Sequence, residues 1–248
     1  VKLHVEVQGH GERTAVLLHG MTGSHESWWR VVPLLVANGY RVLAVDLPGH
    51  GVSPRDGTMT VDRAARSIAE SIADECGSTP DLAMGHSYGG LLLAAAVHSG
   101  VLTPGLSVYV DTPFTTRGGW DRAETIASYE QDKRARTYDG LRASRPHYSD
   151  QDCVVEARAA ERFDPATAAA QAAGPGVSVE PEPGSIIVRA DPSSYVDDEV
   201  AALHRGRGVT VRDVPGAAHS VWYSHFEGFV GALPEVFRER TGGSGSLA

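Results

Sequence analysis

Apolar residues follow two rhythms along this 248-residue chain. Residues 1–7 alternate apolar and polar side chains, and 14–18, 41–45, 82–84, 106–110, 185–190 and 209–214 are short runs rich in Val, Ile and Leu. Alternation predicts a half-buried strand, and a short continuous run closed by turn residues predicts a strand covered on both faces. The turn Gly9-His10-Gly11 joins the first two. The second rhythm has apolar positions three and four apart, and it predicts helices over 28–38 (stopped by Gly39), 61–76 (Ala65, Ile68, Ala69, Ile72), 91–98 and 227–238. Strands alternating with helices at both ends of the chain imply an α/β fold, a mainly parallel sheet with helices on both faces.

Residues 112–184 break this rhythm. They are charged and carry scattered aromatics (Trp120, Tyr129, Tyr138, Tyr148), an alanine-rich helix around 166–173 and a Pro/Gly-rich exit over 174–184. No strand is expected there. The organisation read from the pattern is a core in two parts, 1–111 and 185–240, around an inserted helical cap, 112–184, with a flexible tail over 241–248. The chain shows no internal repeat.

Composition narrows the function without changing the fold. A hydrophobic share of 42% with 21% charged residues is that of an ordinary globular protein. The net charge of −9 argues against general nucleic-acid binding, which needs a basic face. No apolar run approaches the ~20 residues of a membrane span, and the first residues form a strand rather than a signal peptide. The two cysteines, Cys76 and Cys153, lie far apart, in neither metal nor redox spacing, and are read as plain thiols. The expected location is therefore cytoplasmic, with no cofactor, no metal, no membrane and no nucleic-acid partner; the oligomeric state is left open.

The chemistry centres on Gly85-His86-Ser87-Tyr88-Gly89-Gly90, between an apolar strand and a helix-forming stretch. A strand–turn–helix of this kind lifts a serine hydroxyl out of the sheet and presents it at a helix N-terminus, where free N–H groups can hold an oxyanion. Side chains at Gly85 and Gly89 would collide where strand and helix cross. Three further pieces stand in order along the chain. His19-Gly20 follows an early strand, Asp46-x-Pro48-Gly49-His50-Gly51-x-Ser53 follows the next, and Gly216-Ala217-Ala218-His219 follows the last.

Together these motifs resemble the α/β-hydrolase superfamily over residues 1–110 and 185–238; the cap matches nothing specific. The resemblance implies Ser87 as nucleophile and His219 as general base, with His225 as the fallback. It implies an oxyanion hole from the backbone N–H groups of Met21 and Tyr88. His19 and His50 would hold loop geometry, and His86 would pack at the elbow. In most of the family the triad acid follows the penultimate strand, where this chain has Ser193, with Asp191 two positions early. A minority branch places the acid after the preceding strand, where this chain has Asp111 in Asp111-Thr112-Pro113. Asp111 is favoured and Asp191 is the alternative, with Asp197 and Asp198 read as solvated charges. Some lactonases of that branch, acting on large resorcylic lactones, carry a cap of similar extent.

The implied function is a serine hydrolase of carboxylic esters or lactones acting on an apolar small-molecule substrate, and the cap with its aromatic residues is compatible with a large one. Thioester cleavage, carbon–carbon cleavage of β-diketones and cofactor-free perhydrolysis use the same residues and stay open, as does a non-catalytic ligand receptor. The expected pocket residues are Thr22, His86, Trp120 and Trp222.

Overall fold

The computed structural model describes residues 1–237. In chain order the elements are β1 (Val5–Gln8), β2 (Arg13–Leu18), α1 (Val31–Ala37), β3 (Tyr40–Val45), α2 (Val61–Cys76), β4 (Leu82–His86), α3 (Tyr88–His98) and β5 (Ser107–Val110). Then come β6 (Thr115–Gly118), α4 (Arg122–Ala135), α5 (Tyr138–Ser144), α6 (Asp150–Arg162), α7 (Pro165–Ala173) and β7 (Pro175–Ser178). The chain continues through β8 (Ile186–Asp191), α8 (Asp198–Gly206), β9 (Thr210–Pro215), α9 (Val221–Ser224) and α10 (Phe226–Gly231).

Seven strands form one sheet in the order β1-β3-β2-β4-β5-β8-β9, parallel except for β1, which runs antiparallel to β3. This is the α/β-hydrolase architecture. Successive side chains of β2 point to opposite faces, so Val16 and Leu18 join Ile68 and Leu92 on one side while Ala15 and Leu17 join Trp28, Leu35 and Phe229 on the other. The inner strands β2, β3, β4 and β5 are largely apolar because both their faces are covered, whereas the edge strands β1 and β9 carry exposed polar residues; each fully buried Val, Leu or Ile contributes roughly 1.5–3 kcal/mol. The parallel arrangement brings the C-terminal ends of β2, β3, β4, β5, β8 and β9 to one edge, and the loops leaving that edge build the site.

The ends of the elements follow local chemistry. Thr60 caps α2 by accepting the Arg63 N–H, and Gly77, at φ 62°, ends it. Ser149 and Asp152 form a reciprocal capping box on α6, and Asp164 caps α7 with Pro165 at its first position. Asp197 and Asp198 are exposed, as expected from sequence; Asp197 also caps α8, and Asp198 reaches Arg189 at 2.6 Å.

Three expectations change. The helix expected over 28–38 is split into a 3-10 turn, His25–Trp28, and α1, which starts late enough to place Pro33 in its first turn, where no N–H is missed. The final helix stops at Gly231, because Pro234 disfavours helical backbone at Leu233; the remainder of the span expected to 238 turns irregularly, and its last residue lies outside the described ones. The 112–184 segment holds four helices but also a two-stranded ribbon, β6 with β7, registered Thr115↔Ser178 to Gly118↔Pro175. Its strands lack an apolar alternation and are largely exposed, so the pattern gave no signal for them. The tail expected over 241–248 lies outside the described residues. Among the described residues no helix is long and apolar enough to cross a membrane.

Candidate active site

Ser87 sits between β4 and α3 with φ 51° and ψ −118°, a left-handed conformation that a side-chain-bearing residue holds only under constraint. The constraint is visible around it. Ser87 N–H donates to Val110 O at 2.9 Å, fixing the turn to the end of β5. A Cβ on Gly85 would lie 2.6 Å from Gly90 Cα, and one on Gly89 would lie 2.4 Å from the carbonyl oxygens of Leu18 and His19. Only hydrogen fits at either position, so backbones meet directly and the serine is pushed to the tip of the turn.

Asp111 follows β5 directly and also has positive φ, 42°. Its N–H donates to Val188 O at 2.8 Å, holding the residue at the edge of the sheet. The carboxylate is buried, and its oxygens divide their donors. Oδ2 accepts from His219 Nδ1 at 2.7 Å; Oδ1 accepts from Ser193 Oγ at 2.7 Å and Ala190 N–H at 3.3 Å. Of the two aspartates weighed from sequence, Asp111 meets the imidazole. Asp191 is 41% exposed and faces Arg189 at 3.9 Å.

His219 arrives on the loop after β9, past Gly216 at φ 77°. With Nδ1–H committed to Asp111, Nε2 is left as an acceptor. The residue is held on two further sides. Its carbonyl accepts from His86 Nε2 at 3.0 Å, and the Tyr195 ring lies 4.5 Å from the imidazole. Burial, and then the proximity of His219, hold His86 well below its ordinary pKa, so it stays neutral and donates through Nε2. Ser87, His86 and His219 line one cavity, which His225 does not reach.

The loop after β2 forms the opposite wall, and two buried neutral imidazoles shape it. His19 donates from Nδ1 to Gly20 O at 2.8 Å and accepts the Leu47 N–H at Nε2 at 3.0 Å. His50 donates to Pro48 O at 3.0 Å and accepts the Thr22 N–H at Nε2 at 3.3 Å. Each needs one protonated and one bare nitrogen. Burial lowers the pKa of both, that of His50 to about 3. A Cβ on Gly20 would lie 3.4 Å from Ser87 Cβ, so this loop runs directly beside the elbow. Thr22, at φ 66°, completes the bend.

The cavity measures about 680 Å³. Met21, Thr22, His86 and Trp222 line it, together with Tyr129, Leu141 and Tyr148 from the inserted helices. Trp222 stacks on Trp28 at 4.5 Å and donates to Ser27 O at 3.0 Å, so it is a fixed wall. Tyr88 is not among the lining residues, and its hydroxyl turns away to Gln171. Trp120, expected in the pocket, is 50% exposed on the outer surface with Arg117 stacked over it, and Tyr138 is exposed likewise. Spacing in the sequence cannot tell the inner face of a short helical insert from its outer one.

Sequence reasoning missed a polar cluster in the cavity wall. Glu156, buried on α6, accepts from Ser27 Oγ at 2.7 Å, Tyr223 OH at 3.0 Å and Arg136 Nη2 at 2.8 Å. Its signal was a glutamate on the buried stripe of α6, three residues from Cys153 and four from Ala160.

The family model described as the alpha/beta hydrolase family matches residues 15–232. Among curated proteins the chain is 32% identical to Methylesterase 3 of Arabidopsis thaliana over 125 residues, covering 47% of each. It is also 32% identical to the pimeloyl-[acyl-carrier protein] methyl ester esterase of Sodalis glossinidius over 138 residues, 54% of this chain and 51% of that one. The chain thus spans about half the length of the curated relatives it matches. Among solved structures it superposes on a marine microorganism esterase with a TM-score of 0.72 at 17% identity, covering 95% of this chain and 99% of that one. An epoxide hydrolase from Bacillus megaterium gives a TM-score of 0.76 at 11% identity over 96% and 97% of the two chains, a likeness of fold alone. With the sheet order, the elbow and a family match over most of its length, the chain belongs to the alpha/beta hydrolase family.

Proposed function

We propose that this chain hydrolyses carboxylic esters of small molecules with Ser87 as nucleophile, His219 as base and Asp111 as the acid that orients it. The observation that carries this reading is the 2.7 Å bond from His219 Nδ1 to the buried Asp111 carboxylate, in a cavity that also holds Ser87. His219 Nε2 takes the Ser87 Oγ proton as Oγ attacks the ester carbonyl carbon. The backbone N–H groups of Met21 and Tyr88 receive the negative charge that develops on the carbonyl oxygen. The tetrahedral species collapses, the alcohol leaves with the proton from His219, and the acyl group stays on Ser87. Water, deprotonated by His219, then releases the acid and restores the hydroxyl. Asp111 fixes the tautomer and balances the imidazolium charge in both halves.

Helices α4 to α7 serve as a cap over this centre in the proposal. The similarity to a methylesterase and a methyl ester esterase favours esters of a small alcohol. The cap side of the cavity mixes Tyr129, Leu141 and Tyr148 with Arg136 and Glu156, which suits an acyl group with both an apolar and a polar part. Lactones fit the same relay, the alcohol remaining tethered to the acyl group.

The test is labelling with a fluorophosphonate, followed by turnover of a panel of methyl, aryl and cyclic esters. Wild type labels at Ser87 and Ser87→Ala neither labels nor turns over. An unlabelled, inactive wild type would identify a ligand receptor, and turnover surviving in Ser87→Ala would remove the nucleophile assignment.

A further inference from the structure

A second cluster of ligand-type side chains lies outside the cavity, at the β1 edge of the sheet. His4 and Glu6 are two residues apart on an extended segment, so their side chains share a face. The 3-10 turn after β2 brings His25 over that face, its ring 5.1 Å from the His4 ring. Ligand atoms of His4, Glu6 and His25 lie within 4.8 Å of one another, with His4 Nε2 and Glu6 Oε2 3.9 Å apart.

The arms of this cluster are held by a common anchor, Asp46. Its fully buried carboxylate accepts both the backbone N–H of His25, at 2.7 Å, and His25 Nδ1, at 2.9 Å. Its own N–H donates to His4 O at 3.0 Å, and the His4 N–H donates to Ser53 Oγ at 2.9 Å. Backbone positions are therefore fixed on both sides. With Nδ1 committed to a carboxylate, the nitrogen left to His25 is Nε2, its lone pair free. That is the arrangement in which an imidazole ligates metal most strongly, since the outer carboxylate orients the ring and raises its basicity.

We infer that His4, Glu6 and His25 form a binding site for a divalent transition-metal ion of the zinc type, with Asp46 orienting His25. Ligands of tetrahedral zinc at 2.0–2.1 Å stand about 3.4 Å apart, so the site closes by side-chain rotation of His4 and Glu6 alone. Those two side chains are 33% and 44% exposed, which permits the rotation and leaves solvent water to fill the fourth position. Two imidazoles and one carboxylate suit zinc, nickel or copper; magnesium and calcium require shells built from oxygen. An ion here ties β1 to the loop that carries Met21 and Thr22, without touching the cavity. The inference does not depend on the proposed esterase chemistry.

Titration of chelator-treated protein with Zn²⁺ by calorimetry, and with Co²⁺ by visible absorption, tests this directly. One ion per chain is expected, with a Co²⁺ spectrum of four-coordinate nitrogen/oxygen type and a higher melting temperature in Zn²⁺. His4→Ala should lower affinity at least tenfold and Glu6→Gln less, since loss even of a partner that only orients a ligand costs about 10–100-fold. Both should melt as wild type without metal, since neither side chain is buried. His10→Ala and His98→Ala, at exposed histidines elsewhere, should bind as wild type. No binding by wild type, or undiminished affinity and stoichiometry in His4→Ala, would overturn the assignment.

Discussion

Ser193 Oγ donates to Asp111 Oδ1 at 2.7 Å, on the carboxylate oxygen that His219 leaves free. By the family resemblance residue 193 stands where most members carry the acid, and in the proposed mechanism its serine supports a carboxylate supplied instead from the end of β5. On the proposed mechanism Asp111→Asn lowers kcat by about 10⁴-fold, the size of loss seen when a triad acid becomes an amide. Asp191→Asn, removing an exposed side chain, stays within about threefold of wild type. Because residues 111 and 193 face one another, the double variant Asp111→Asn/Ser193→Asp should recover at least tenfold over Asp111→Asn alone. Steady-state kinetics on a chromogenic ester decides it, and a large loss in Asp191→Asn would reverse the assignment.

Ser193→Ala isolates the support from the acid. Removing one hydrogen bond to a buried carboxylate costs about 1.5 kcal/mol, or roughly tenfold. The loss should fall on kcat with KM nearly unchanged, since Ser193 is not among the residues lining the cavity. A loss confined to KM would instead place Ser193 in substrate binding.

The elbow makes a separate demand on stability. A Cβ on Gly89 would stand 2.4 Å from two backbone oxygens of β2 and its following loop, atoms with no rotamer to relieve the clash. Gly89→Ala should therefore destabilise by more than about 3 kcal/mol in urea unfolding. Gly100→Ala is a useful contrast. Nothing lies within 4 Å of its Cβ position, so its cost comes only from positive φ, 71°, about 1–2 kcal/mol. Equal effects would mean that the elbow tolerates separation of strand and helix.

The sheet and the motif-bearing loops were legible because their causes are local. A strand covered on both faces must be apolar, and a turn that presses backbones together must be glycine; Gly85 and Gly89 state this outright. Which aspartate meets His219 was harder to read because Asp111 and Asp191 both stand at the ends of parallel strands, and choosing between them needs the fold of the loop after β9. Trp120 and Tyr129 illustrate the limit in the insert: both are aromatics near α4, yet one faces solvent and the other the cavity. Glu156 and Arg136 meet across 20 residues, and His25 meets His4 across 21; no period links either pair.

Glu156 carries a prediction of its own. A buried carboxylate is tolerated here because Arg136, Ser27 and Tyr223 together satisfy it. Glu156→Gln keeps the shape but strips the charge, leaving Arg136 without its ion-pair partner. Loss of one member of a buried pair costs 3–5 kcal/mol, and partial exposure of Arg136 puts the expected value at about 3 kcal/mol. Chemical denaturation measures it; a change below about 1 kcal/mol would show that water satisfies Arg136 equally well.

The buried imidazoles set the response to acid. His19, His50 and His86 all have pKa values lowered by burial, that of His50 to about 3, so the native state resists protons that the unfolded chain takes up near pH 6.5. Between its lowered native pKa and its unfolded value each group binds more protons in the unfolded state, and stability falls there as pH falls, by at most about 1.4 kcal/mol per pH unit for each. Asp46, whose bonds to His25 and Val52 outweigh burial and hold its pKa down, adds to the loss once pH drops below the ordinary carboxylate range. His25 opposes this. Burial disfavours its charge, but Asp46 raises its pKa overall, so its contribution is present below pH 6.5 and is lost as pH rises through the raised value. Three groups against one leave a net slope, and the urea midpoint should fall steadily from pH 7 to pH 5. His50→Gln keeps a donor and an acceptor near Pro48 and Thr22 without a titrating ring, so its slope should be shallower by about one proton. A midpoint flat across that range, or a slope unchanged in His50→Gln, would mean that the loop beside Ser87 accepts a charged imidazole and that its geometry does not depend on the neutral tautomer.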